Sequence, residues 1–158
     1  MPSHRSVIRI RRASAADLDA LVALEQATFT SDRISRRQWR RHISNANASL
    51  RVHGTRGHVD AAALVFYRRH SSHARLYSLA VAADARGAGL GGRLLGAAEA
   101  AARAHGCSGM RLEVRVDNAT AIALYTRHGY VRIARLPGYY EDGGDGWRFG
   151  KALATGAG

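Results

Sequence analysis

Cysteine occurs once in this 158-residue chain, at Cys107. A lone thiol excludes an intrachain disulfide and any cluster of cysteine metal ligands. It makes a reducing cytoplasm the expected compartment. Lysine is as scarce: Lys151 is the only one among 24 cationic residues, and the rest are arginine. Long apolar runs are missing, and none approaches the roughly 20 residues that a membrane-spanning helix needs. The opening stretch MPSHRSVIRIRRAS has no apolar segment ahead of a small-residue cleavage site, so no secretory signal is expected. The 8 histidines show neither an HExxH pattern nor paired metal spacing, which sets a metal centre aside. No GxxxxGK[ST] loop, internal repeat, low-complexity tract or linker interrupts the chain.

What is present suits an ordinary globular protein. Hydrophobic residues make up 46% of the chain. The length accommodates one domain, expected over 1–158 with a core of about 5–153. The formal net charge of +12 draws phosphate-rich partners: nucleic acid, a nucleotide cofactor, an acidic protein or a ribosome. An arginine-coated surface with no particular partner gives the same number. The densest cluster, RRQWRRH at 36–42, falls on a helix, where basic faces are usually solvated.

The pattern along the chain is mixed α/β. SVIRIRRA, with Val7, Ile8 and Ile10, reads as a first strand. Ser14 caps a helix over about 15–28, with Asp17 at the capping-box position and Leu18, Leu21, Val22 and Leu24/Glu25 at helical spacing. SDRISRRQWRRHISN holds a second short helix. SLRVHG, HVDAAALVFYRR and ARLYSLAVA are strands, and a long helix follows from about Gly89 to His105, ended by Gly106. MRLEVRV is a strand, DNATAIALYTRHG a helix that stops at Gly129, and YVRIARL and GWRFGKAL the last two strands.

RGAGLGG at 86–92 can be parsed in two ways. Gly87-x-Gly89-x-x-Gly92 matches a dinucleotide fingerprint, and Arg86-x-x-Gly89-x-Gly91 marks a different diphosphate loop. A dinucleotide site places its first glycine at the strand end, with an acidic residue about 20 positions on. Here five residues separate Val81 from Gly87. Glu113 lies 21 residues after Gly92, but in the middle of RLEVRV. About 85 residues precede the loop, which does not suit a domain that should open with it. The glycines alone still suit either a diphosphate at a helix N-terminus or a turn before a core helix.

LYSLAVAADARGAGLGGRLL followed by RLEVRVDNATAIALYTRHGY resembles the GNAT superfamily of acetyl-CoA-dependent N-acetyltransferases. The match is strong over about 75–135, and Arg86-x-x-Gly89-x-Gly91 corresponds to the superfamily's pyrophosphate loop. LEVR, N-A-x-A-I-x-L-Y and G-Y look most like the branch that acetylates ribosomal-protein N-terminal alanine. The resemblance implies an α/β (α+β) fold: a mixed, mostly antiparallel sheet of six to seven strands, flanked by about four helices and splayed between the fourth and fifth strands. It implies acetyl-CoA as cofactor with CoA as product, an amine acceptor that could be a ribosomal or other protein, and a monomer or homodimer. Leu79, Ala80 and Val81 would pair with the pantetheine arm. Arg86, Gly87, Ala88, Gly89, Leu90, Gly91 and Gly92 would hold the pyrophosphate. Asn118 would bond the cofactor's amide arm, and Tyr125 would sit beside the sulfur.

An amine is protonated at neutral pH, so its attack on a thioester needs a proton acceptor. Glu113 is the candidate base, facing the gap if Leu112 and Val114 face the core; its other reading is a strand residue in a salt bridge. A backbone amide near Val81 is the candidate oxyanion donor. Tyr125 is the candidate acid for the departing thiolate; its other reading is an aromatic core contact. The resemblance assigns the acceptor groove to the loops holding Phe29 and Asp32 and holding Tyr139 and Tyr140, with Glu141, Asp142 and Asp145 attracting a cationic amine. Thr30 stands where N-terminal acetylating relatives tend to carry proline, which leaves a lysine, a polyamine or another small amine open as acceptor. A degenerate fold that only binds CoA is disfavoured by the joint presence of Glu113, Asn118 and Tyr125. A nucleic-acid module lacks any supporting aromatic-basic motif or recognition helix.

Overall fold

The computed structural model describes residues 9–154. Seven strands form one sheet: β1 (Ile10–Arg12), β2 (Ala48–His53), β3 (Ala61–Tyr67), β4 (His73–Val81), β5 (Gly109–Arg115), β6 (Val131–Leu136) and β7 (Gly146–Ala152). Four helices flank it: α1 (Leu18–Thr28), α2 (Arg36–Ile43), α3 (Leu90–Ala104) and α4 (Ala119–Arg127). The mixed architecture, strand number and helix number expected from the sequence are all observed. Val7 and Ile8 of the expected first strand lie outside the described residues.

Strand order is β1-β2-β3-β4-β5-β7-β6. Every pairing is antiparallel except β4–β5, which is parallel and therefore needs a crossover, supplied by α3. Period-two alternation divides the core between the two faces of the sheet. Ala61, Ala63, Val65, Leu76, Met110, Leu112 and Val114 face α3 and α4. Leu50, Val52, Ala62, Leu64 and Ala80 face α1 and α2, against Leu21, Leu24 and Trp39.

The helix starts obey local chemistry. Ser14 and Asp17 form the expected capping box, although the first turn is 3-10 and the α-helix proper begins at Leu18. α2 begins later than the start of its expected segment because Ser35, with Gln38, makes the capping box there.

β4 carries the feature that positions the site. Val65 pairs with Leu76 and Leu64 with Ser78, so Tyr77 is an extra residue bulged out of the ladder. Leu76 is also the last β4 residue paired with β5, opposite Leu112. Beyond that point the two strands part, as the resemblance implies.

At the other side of the sheet β6 is an edge. Ile133 drops out of its ladder with β7, and the Arg132 and Arg135 guanidiniums lie 4.5 and 5.1 Å from the Trp147 ring centre.

Asp17 is fully buried and ties three segments together. It accepts from Arg11 of β1 at 2.8 and 2.9 Å, from the Ser14 amide at 2.8 Å and from the Gly57 amide at 2.9 Å. The Arg11 guanidinium, helped by those two amides, holds the carboxyl well below the usual carboxylate range against the effect of burial. A depressed pKa stabilises the fold fully above the unfolded value of about 4, and the contribution is lost as pH falls below it. Asp17→Asn should therefore lower the unfolding free energy by about 3 kcal/mol in urea titrations at neutral pH. The gap to the parent chain should narrow as the pH drops below about 4; equal urea midpoints at neutral pH would mean that Asp17 does not anchor β1.

Candidate active site

The parting of β4 and β5 opens a cleft of about 490 Å³. β4 contributes Arg75, Ser78 and Leu79, and β5 contributes Glu113 and Arg115. α1 and the loop after it contribute Glu25, Phe29 and Asp32, α4 contributes Tyr125 and its cap Asn118, and the β6–β7 connection contributes Tyr139 and Tyr140. Eight of the residues singled out in the sequence thus meet in one place: Phe29, Asp32, Leu79, Glu113, Asn118, Tyr125, Tyr139 and Tyr140.

Leu112 and Val114 point into the α3-side core, so Glu113 faces the opposite way, into the cleft. Its side chain is only 9% exposed and is heavily engaged. Arg75 Nη2 lies 2.8 Å from Oε1, Arg148 Nη2 lies 3.9 Å away, and the Tyr139 hydroxyl donates at 3.3 Å. Arg75 also donates to the Tyr139 hydroxyl at 2.9 Å. Glu113 thus faces the gap and is salt-bridged there, and with so little exposure it is not a surface residue.

Tyr125 is buried, with its ring edge-on to Tyr130 at 5.8 Å. Burial raises its phenol well above the ordinary tyrosine value, which keeps the proton on the oxygen at neutral pH. Burial likewise pushes Tyr140 up to about 12, and it raises Tyr139, with Glu113 adding to the effect. The tyrosine pair packs edge to face at 5.0 Å.

Arg115 clamps the two acceptor-side loops to each other. One amine of its guanidinium donates to both Asp142 oxygens at 3.0 Å. The other donates to Ser31 Oγ at 2.8 Å and lies 3.5 Å from Asp32, and the group sits 4.3 Å from the Tyr140 ring centre. Asp32 holds a left-handed φ of 54°, uncommon for a residue with a side chain. The expected attraction of a cationic amine by the 141–145 acids needs correction. Asp142 is bound by the Gly144 amide and Arg115, and Asp145 by the Gly138 amide and Arg135. Two of those three charges are already matched.

The remaining singled-out residues, Ala80, Val81 and 86–92, do not line that cleft; they stand at the end of β4 and in the turn into α3. Beyond Leu76 the β4 backbone has no β5 partner, so Leu79, Ala80 and Val81 could bond an extended ligand along that edge. Arg86 Nε turns back to donate to the Val81 carbonyl at 3.1 Å. Gly89 caps α3 with φ 75° and no side-chain bond, which leaves the amides of Leu90, Gly91 and Gly92 open at the positive end of the helix. A Cβ added at Gly87 or Gly89 would meet nothing within 4 Å. Open amides beside free space fit a diphosphate. Asn118 Oδ1 accepts the Ala121 amide at 3.1 Å as the cap of α4, so its amide nitrogen is the part that could reach a cofactor.

The polar cleft residues Glu25, Ser31, Arg75 and Arg115 are not among the site residues read from the sequence. Glu25 had a readable signal, a charge on the apolar stripe of α1. Arg115 closes the LEVR motif, which gives no sign of its partners, and Arg75 is one arginine among many.

The sheet is parted at its parallel pair, with a bare glycine-capped helix start after β4 and a cleft lined by a carboxylate and a buried tyrosine. The Acetyltransferase (GNAT) family profile matches residues 18–130, and the chain belongs to that family. The ribosomal-protein-S18-alanine N-acetyltransferase from Escherichia coli superimposes with a TM-score of 0.81 at 25% identity, over 94% of this chain and 96% of that one. A NatC complex bound to Gag peptide and CoA shares the fold, with a TM-score of 0.79 at 21% identity over 93% and 99% of the two chains. N-alpha-acetyltransferase MAK3 of Arabidopsis thaliana is 41% identical over 63 residues, 40% of this chain and 33% of that protein. The matched stretches span between 18% and 47% of the lengths of the curated relatives. Among the described residues no helix is long and apolar enough to cross a membrane.

Five of the 6 tyrosines, Tyr67, Tyr125, Tyr130, Tyr139 and Tyr140, are raised by burial. A raised phenol stabilises the fold fully below the unfolded value of about 10, and that contribution is lost as pH climbs above it. Near-ultraviolet titration at about pH 10.5 should show far fewer phenolates in the folded chain than in urea. Equal phenolate signals would mean that these rings are open to water.

Proposed function

We propose that the chain moves the acetyl group of acetyl-CoA directly onto a primary amine of a polypeptide, at an N-terminus or on a lysine. The observation that carries this reading is the convergence of Glu113 and Tyr125 on the cleft where β4 and β5 part, with the open amides of α3 following β4 in the chain. Acetyl-CoA supplies the activated acetyl thioester. The open amides of Leu90–Gly92, with Arg86 nearby, bind its diphosphate, and the β4 edge over Leu79–Val81 aligns its arm. Gripping both ends of an extended ligand favours reaction by holding the partners in register.

Glu113 draws the proton from the amine. Arg75 and Tyr139 hold its carboxylate in place, and both must yield or pass the proton through water for it to act. An amide at the end of β4, near Val81, faces the developing oxyanion. Tyr125 keeps its proton until a thiolate needs it, in line with the effect of burial. Phe29 and Tyr139–Tyr140 form the walls along which an extended acceptor lies. A polypeptide acceptor is supported by the likeness to the Escherichia coli ribosomal-protein enzyme and by this tyrosine pair. The lone cysteine fits a cytoplasmic setting.

Thiol release from acetyl-CoA, measured against an alanine-initiated peptide, an N-blocked lysine peptide, spermidine and an aminoglycoside, tests the reading. Release with a peptide is the expected result, release with spermidine or the aminoglycoside alone moves the acceptor to small amines, and release with none overturns the reading. Gly89→Glu puts a side chain and a negative charge on the diphosphate path at a left-handed position. It should weaken CoA binding in calorimetry by more than about 100-fold, roughly 3 kcal/mol. Tyr125→Phe should lower kcat by about 100-fold with little change in acetyl-CoA affinity, and an unchanged kcat would make Tyr125 structural.

A further inference from the structure

Glu25 is a carboxylate that the fold buries without completing its bonding. It sits on the inner face of α1, is 3% exposed and lines the cleft. Oε2 accepts the Ile34 amide at 2.8 Å, which fixes the group against the loop after α1. Oε1 is buried with no hydrogen-bond partner. Native folds seldom leave a buried carboxylate oxygen unmatched, because the desolvation cost is not repaid. The nearby cation, Arg33, is turned onto the Phe29 and Gln26 carbonyls at 2.6 and 3.0 Å. Burial raises the carboxyl, as expected of a group waiting for a counter-charge.

The other acids of the cleft are already served. Glu113 has Arg75 and Arg148, and Asp32 has Arg115. Glu25 is the cleft carboxylate that no salt bridge matches among the described residues, Arg33 acting on it only through space. We infer that Glu25 is the counter-charge for the acceptor's ammonium, and that it selects a cationic primary amine as the second substrate. The inference rests on the acetyl-transfer reading and adds to it a residue for amine recognition, separate from Glu113. A pairing of this kind also explains how an acceptor is held in a basic protein, since the carboxylate offsets the general repulsion of a cation by a chain of charge +12.

Glu25→Gln keeps an oxygen for the Ile34 amide and removes the charge. With the alanine-initiated peptide, the N-blocked lysine peptide and spermidine as probes, it should raise KM at least 10-fold for whichever the parent enzyme acetylates, with KM for acetyl-CoA within twofold. In calorimetry on CoA-saturated enzyme, the parent should prefer that probe to its acetylated form, and Glu25→Gln should lose the preference. Glu25→Asp keeps the charge and should retain the preference in part; it serves as the test if Glu25→Gln does not fold. If the parent acetylates neither these probes nor the aminoglycoside, the acetyl-transfer reading fails and this inference falls with it. If the parent acetylates a probe while Glu25→Gln keeps its KM within twofold and its preference for the free amine, the Glu25 assignment alone is overturned.

Discussion

One extra residue in β4 sets the shape of everything around it. The bulge at Tyr77 breaks the β3–β4 ladder next to Leu76, the last residue at which β4 holds β5. A bulge bends its strand and sharpens the twist, so the strands cannot stay in hydrogen-bonding distance beyond it. The consequence is a stretch of β4 with one edge unpaired and a β5 whose Glu113 has been freed to face a gap. A closed ladder here would leave neither a cleft nor a backbone edge for a ligand.

Around that gap arginine does the holding. Arg75 fixes Glu113 and Tyr139 from β4, and Arg115 joins the loop after α1 to the β6–β7 connection through Ser31, Asp32 and Asp142. Planar guanidiniums suit this work because one group can serve several partners in fixed directions. The effect is that much of the acid in the site is neutralised in advance, and Glu25 stands apart because it is not. Part of the chain's large arginine content thus braces the site.

The elements were readable because their signals are local. Leu112 and Val114 on one face of a strand place Glu113 on the other, and Ser14 with Asp17 announces a helix start. The glycines of 86–92 carry no decision by themselves; the gap between Val81 and Gly87, the position of the loop in the chain and the later run with Asn118 and Tyr125 choose between the two diphosphate readings. What stayed hidden is non-local. Nothing near Arg75 signals that it meets a glutamate 38 positions on. The Tyr77 bulge has no glycine or proline to mark it. Asp142 and Asp145 read as free charge because their partners, Arg115 and Arg135, reach them only through β-pairing and a turn.

The β6 edge bears on how the protein behaves in a crowded solution. Val131 and Ile133 are 65% and 50% exposed on an outermost strand, which by composition would invite another chain to add itself to the sheet. The ladder, however, skips Ile133, and two guanidiniums are folded over Trp147 along the same strand. An approaching strand would meet a broken hydrogen-bond register and fixed positive charge. The irregularity that looks like a defect in the last hairpin is of the kind that discourages one sheet from growing into the next.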